Sequence, residues 1–169
     1  MLFTWQWWVL AGLMILPWVF WYFHRKPALM GASLSAGLAF SAGGTFLDHL
    51  GTAYGAWAYP IKLIPLIPPL VPWDFSLIPV TAMVFYENWT GIKPVYKAVI
   101  FAVLGSFIVQ PAATWALMYE PKQWHHWYSF PIFCLMYLGG YALYQWILRE
   151  QKMGGGNGTS QRDERKLVS

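Results

Sequence analysis

Asp48, His49, Asp74, Glu120, His125 and His126 all fall where apolar runs of the sequence begin or end. Carboxylates and imidazoles gathered in one place are the donor set for Zn²⁺ or Mn²⁺, and equally for a proton relay. The spacing argues against a metal, because neither H-x-x-x-H nor H-E-x-x-H occurs. The adjacent pair His125-His126 lies in a Trp-rich loop and reads as interfacial side chains with access to water. Asp48 and Asp74 carry more weight. Asp74 stands at a helix start, where a carboxylate caps free backbone donors. Asp48 is placed to accept from Trp57, Tyr59 or nearby loop backbone. The alternative for both is an ion or substrate role, since ionisable groups in apolar runs are costly and need a reason. Gln110, followed by Pro111, is the deepest strongly polar side chain. It reads as an interhelical hydrogen bond worth about 1 kcal/mol in lipid, or else as a pore-lining group. Glu87 reads as an interfacial carboxylate near Lys93.

No nucleophile triad or phosphate-binding loop accompanies these residues. Gly154-Gly155-Gly156 lacks the Lys-Ser/Thr of such a loop and reads as linker. The single cysteine, Cys134, excludes an intrachain disulfide and a Cys-rich metal site, and its apolar setting suits a packed thiol. The catalytic residues and any cofactor stay unknown at this level.

The elements that must position these groups are membrane helices. Only 11% of the 169 residues are charged, against about 25% in a soluble domain. Twelve tryptophans suit two membrane–water interfaces. The expected fold is an all-α membrane protein, a bundle of five transmembrane helices over about 3–23, 27–49, 73–89, 95–118 and 127–148, each near the length that crosses hydrocarbon. The first is read as a retained span, because no cation precedes it and no small-residue cleavage site follows. Ser33, Gly37, Ser41 and Thr45 recur every four residues on the second span, and Ala98, Ala102, Ser106, Gln110 and Thr114 on the fourth. Such small faces let helices approach closely in lipid. Residues 51–59 read as an interfacial loop. Residues 60–72 carry Pro60, Pro65, Pro68, Pro69 and Pro72 in an apolar setting, which precludes an ordinary helix and points to an interfacial or re-entrant segment. Residues 1–149 form the bundle, and 150–169 a flexible tail.

Charge sets the orientation. Five spans leave Arg25, Lys26, Lys93, Lys97, Arg149, Lys152, Arg162, Arg165 and Lys166 on one side and Lys62 and Lys122 on the other. Lys/Arg-rich loops stay in the cytoplasm, so the expectation is a multi-pass cell-membrane protein with its N-terminus outside and its C-terminus cytoplasmic. The positive charge follows this topology rather than a nucleic-acid surface.

Asp48, Gly51, the run Gly55-Ala56-Trp57-Ala58-Tyr59, Asp74, Pro79, Met83, Tyr86 and Gln110-Pro111 resemble a pattern in an uncharacterised family of small multispan proteins from spore-forming Gram-positive bacteria. The resemblance implies a small helical membrane bundle and no particular activity. Three functions are compatible with the sequence. The first is a membrane scaffold, binding or accessory subunit, packing in the bilayer as a homo-oligomer or on a partner membrane protein. The second is an oligomeric transporter of a small solute or ion, using Asp48, Asp74 and Gln110. The third is an intramembrane lipid or isoprenoid enzyme using the outer carboxylates and histidines.

Overall fold

The computed structural model describes the backbone of residues 3–67 and 69–167 and the side chains as far as residue 153. Helix α1 (Trp5–His24) starts at Thr4, whose hydroxyl accepts from the Trp7 amide at 3.4 Å, an N-cap that satisfies one free donor of the first turn. A single 3₁₀ turn at Pro27–Leu29 leads into α2 (Met30–Ala53). Residues 73–87 form one rod, α3, in which a π-helical stretch (Trp73–Leu77) runs into an α-helix (Ile78–Glu87). Helix α4 (Pro94–Trp115) is interrupted in the same way, with π-helical turns at Leu104–Val109. Helix α5 (His126–Leu167) closes the bundle.

Both π stretches have a proline just beyond them. Pro79 and Pro111 have no amide hydrogen, so Phe75 and Phe107 lose the donors an α-helix would give their carbonyls. Wider turns reset the ladder: the Ile78 amide reaches Trp73 and the Gln110 amide reaches Gly105, each five residues back. The orphaned Phe75 carbonyl accepts from the Trp18 indole at 3.0 Å, which pins α1 to α3. The π turns also explain how a four-residue repeat stays on one face. An ideal helix drifts about 40° per four residues, and the wider turns take some of that drift back. Ala98, Ala102, Ser106 and Gln110 are accordingly all buried. Ser33, Gly37 and Ser41 are buried on α2 as their spacing requires.

The core is aromatic, with Phe40, Phe85, Tyr86, Phe101, Phe133 and Tyr137 at its centre. Gly140 lies under the Tyr86 ring and Gly105 under Phe133, so each allows a close helix crossing. The Cys134 thiol packs against the Ala98 carbonyl at 3.7 Å.

Among the described residues, three helices are long and apolar enough to cross a membrane: Trp5–His24, Pro94–Trp115 and His126–Met153. Helix α2 has 24 residues but a small and polar composition. The 73–87 rod is shorter than the ~20 residues that span hydrocarbon at right angles. Helix α5 runs on through 150–167, where composition points to a flexible tail. Extending an existing helix needs no new nucleus, so its backbone can continue through weak helix formers.

The 51–59 stretch is more ordered than an interfacial loop. Trp57–Ala58 (β1) pairs antiparallel with Glu120–Pro121 (β2), and the Lys122 and Gln123 amides both donate to the Ala56 carbonyl at 3.0 Å. The described residues of 60–70 are irregular, and helix resumes at Val71 and Pro72. Ile61 and Leu70 at the two ends of the irregular part are buried, whereas Leu66 at its tip is 94% exposed.

Candidate functional site

Asp48 lies about one and a half turns before the end of α2. The helix stops at a left-handed residue, Gly55 (φ +68°). There the Gly55 amide bonds to Thr52 and the Ala56 amide to Gly51, the paired closure typical of a helix C-terminus. The chain turns back, and the Trp57 indole comes to lie on Gly51, where any β-carbon would overlap the ring. That position brings the indole N–H to Asp48 Oδ1 at 2.8 Å. The Tyr59 hydroxyl donates to the same oxygen, and the Leu70 amide donates to Oδ2 at 3.1 Å. One carboxyl therefore holds both ends of the Pro-rich segment. Burial pushes the Tyr59 phenol well above its ordinary range, and the neighbouring Asp48 adds to the shift. Tyr119 is pushed up for the same two reasons, so both phenols remain protonated.

Asp74 does not cap its helix. The rod already begins before it, with Pro72 at the cap position and no side-chain cap bond, so Asp74 lies inside the first turn, where its amide donates to the Leu70 carbonyl at 3.2 Å. The π turn instead presents the Asp74 carboxyl to Gly44 on α2, at the cavity that Asp48 also borders. The Asp74 Oδ2 is buried without a partner among the described residues. Among the described residues Gln110 makes no interhelical bond through its Oε1, which is buried and unpaired. The π turns just before it hold the amide on the inner face of α4.

Asp48, Asp74, Gln110, Trp57 and Tyr59 border one cavity of about 320 Å³ between α2, α3, α4 and α5. Trp124 closes one side by meeting Trp57 edge to face at 5.0 Å, and Tyr119 approaches Tyr59 at 5.8 Å. Gly44 lines the floor with Met136 beside it. The wall is mostly apolar, with few polar groups converging, which is the usual composition of a small-molecule site.

Five of the seven sequence candidates thus converge, and two do not. His125 is exposed beside Tyr128, and His126 packs beside Tyr119, neither lining the cavity. Their loop is held by β2 and by the Trp124 indole, which donates to Ser129 at 2.9 Å, so the imidazoles lie behind the aromatic wall. Among the described residues, no three His, Cys, Asp or Glu side chains are grouped to hold a metal ion. Tyr119 and Trp124 were not evident from sequence. They reach the cavity through β1–β2 pairing, and no local pattern marks them.

Glu87 is also different from expectation. It is 2% exposed and bonds nothing of Lys93. Its Oε1 accepts from the Trp21 indole at 2.9 Å and its Oε2 from the Lys26 amide at 3.2 Å. Two ammonium groups hold the carbonyls at this helix end. Lys26 bonds the Glu87 carbonyl at 2.7 Å, and Lys97 bonds those of Phe85 and Asn88 at 3.0 and 2.5 Å. Cations at a helix C-terminus oppose its dipole, so this end is a structural clasp. No family model matches the chain, and neither a curated protein nor a solved structure matches it.

Proposed function

We propose that this chain is a five-span binding or accessory protein of the cell membrane that holds a small, mostly apolar molecule in its outer half. The observation that carries the reading is the cavity itself: about 320 Å³ of mostly apolar space bordered by Asp74 and Gln110, each of which also keeps one buried oxygen unpaired among the described residues. A purely packed bundle gains nothing from such a space, since voids forfeit dispersion contacts and unpaired acceptors cost stability. The topology rests on charge. Lys62 and Lys122 flank the cavity end, while Arg25, Lys26, Lys93 and Lys97 flank the Glu87 end. The excess of cations marks the Glu87 end as cytoplasmic. The exposed Ile64, Leu66 and Ile67 at the tip of the Pro-rich segment suit an interfacial position.

Single cysteines test the topology in a Cys134→Ala background. A membrane-impermeant maleimide is expected to label Lys62→Cys in intact cells and Lys93→Cys only after permeabilisation. The opposite pattern overturns the orientation. Binding is tested in nanodiscs with the neutral probe 4-phenylbutanol, read by fluorescence of the tryptophans around the cavity. A saturable change is expected in the native chain and not in Gly44→Leu, whose side chain grows into the space. If Gly44→Leu leaves the titration unchanged, the cavity is not the binding site. The π-helical interruptions in α3 and α4 favour a second reading, in which the same cavity carries its occupant across the bilayer. Tracer counterflow in proteoliposomes separates carriage from holding.

A further inference from the structure

We infer that the occupant is a hydrocarbon chain of an outer-leaflet phospholipid, which enters the cavity sideways between α2 and α5. This deepens the cavity-binding reading and rests on it. The inference follows from where the walls are closed. On the water side Trp57 meets Trp124 edge to face, and the β1–β2 pair ties their two segments together. The Pro-rich segment completes that roof, with both its ends fastened to Asp48. Trp73, Ile78 and Gln110 of α3 and α4 form the inner wall, and the buried Phe40 and Phe133 close the depth. The remaining border consists of Leu47, Leu50 and Tyr54 of α2 and Ile132 and Met136 of α5. None of these five is buried, and Tyr54 is 81% exposed. Deeper in the bundle the gap ends, where Met136 lies beside Gly43 and Gly44. Leu47 and Ile132 are each six residues from an outer helix end, so the gap reaches about 9 Å into the bundle. Phe46 and Leu135, which flank it, are 63% and 70% exposed, so this face turns towards lipid.

The chemistry of the wall suits a chain. The wall is mostly apolar, and no Lys, Arg or His lines it. Asp48 spends both oxygens on Trp57, Tyr59 and the Leu70 amide. The unpaired Asp74 Oδ2 and Gln110 Oε1 have almost no accessible surface, so they present no acceptor to the space. A hydrocarbon chain brings no polar group that would go unpaired there. At about 320 Å³ the cavity is near the lower end for ligand sites, so it takes a chain and leaves the headgroup outside. Just outside, Lys122, His49 and His125 are exposed, with Glu120 the acid among them. The Lys122 amide bonds to Ala56 at the edge of the cavity, which places a cation where a phosphate head would lie.

The test places a photoreactive group at two depths of the lipid. The full chain in nanodiscs is irradiated with phosphatidylglycerol that carries a diazirine either near the head or at the chain end, and peptide mass spectrometry locates the adducts. The chain-end probe is expected to label Phe40 and Phe133, and the near-head probe Leu50 and Tyr54. The outward-facing Leu135 is the reference for lipid that merely surrounds the bundle. Gly44→Leu should lower the Phe40 and Phe133 adducts at least about fivefold and leave Leu135 unchanged, because the added side chain takes up the space. Labelling confined to outward-facing side chains, while 4-phenylbutanol still binds saturably, overturns the lipid-chain assignment and leaves the cavity reading standing. Equal labelling of Phe40 by the two probes also overturns the assignment, since the chain would then not lie with its head outward. If neither the lipid nor 4-phenylbutanol reaches the cavity, both readings fall. The native chain's own pattern decides the matter even if the variant does not fold.

Discussion

Asp48→Ala lowers the stability of the folded protein by about 3–5 kcal/mol, because each buried donor left without a partner costs about 1–3 kcal/mol. The substitution strips acceptors from the Trp57 indole, the Tyr59 hydroxyl and the Leu70 amide in one step. These donors lie in two separate chain segments, so the loss frees both ends of residues 60–72. Irregular backbone in a membrane protein persists only where its polar groups are satisfied by protein or water, which makes this anchor matter more than its size suggests. Asp48→Asn is expected to cost less, about 1–2 kcal/mol, because one amide oxygen still accepts from Trp57 and Tyr59. Its nitrogen, however, would face the Leu70 amide, donor against donor. Thermal melts in detergent measure the series, and limited proteolysis within 60–72 reports the local release. A double-mutant cycle with Tyr59→Phe should show strong coupling, since both changes remove the same bond. If Asp48→Ala melts like the native chain and 60–72 stays protected, the segment is held by something other than this carboxyl.

The second large effect is expected at the opposite end of the bundle. Glu87→Ala removes the acceptors of the Trp21 indole and the Lys26 amide, and a fully buried side chain with them. A loss of about 2–4 kcal/mol is expected, from two donors left without partners and the space vacated. The consequence is specific in place. Helix α1 should loosen at Trp21 while the cavity end, held by the Trp18 bond to Phe75 and the Trp7 bond to Leu63, stays docked. Disulfide trapping between cysteine pairs at the two ends of α1 and α3 reads this difference. Lys26→Met should cost less than Glu87→Ala, because it removes one ammonium from the Glu87 carbonyl and leaves the Lys26 amide bond in place. Equal trapping at both ends in Glu87→Ala rules out the clasp.

The two effects bear on function differently. The Glu87 clasp fixes how α1 and α3 cross, far from the cavity, and its loss acts through stability. Asp48 holds the wall of the cavity, and its loss is expected to change both stability and binding. Asp74 is the side chain whose replacement separates the two, because nothing among the described residues depends on its Oδ2 for pairing.

Sequence alone determined what travels along one helix. The helix is a local period, so Ser33, Gly37 and Ser41 fall near one face whatever they pack against, whereas Ala98 through Gln110 keep one face with the help of the π turns before Pro111. Proline density argues against a helix over 60–72 because the missing donor and the clash belong to the residue itself, and the structure keeps the described residues of 60–70 irregular while starting a helix at Val71 and Pro72. The Asp48 partners Trp57 and Tyr59 were legible for a similar reason: they follow within eleven residues, one tight turn away. The tertiary structure decided everything that depends on how rods cross. The convergence of Asp74 and Asp48 on one cavity, the bond from Trp21 to Glu87 sixty-six residues on, and the β1–β2 pair that brings Tyr119 and Trp124 to the cavity join segments with no shared period. It also turned Asp74 from a helix cap into a wall group, because the rod starts before it, with Pro72 at the cap position. Pairings of this kind are set by crossing angles and by small residues such as Gly44, Gly51 and Gly140 that let backbones approach. Those distances exist only once all five rods are in place.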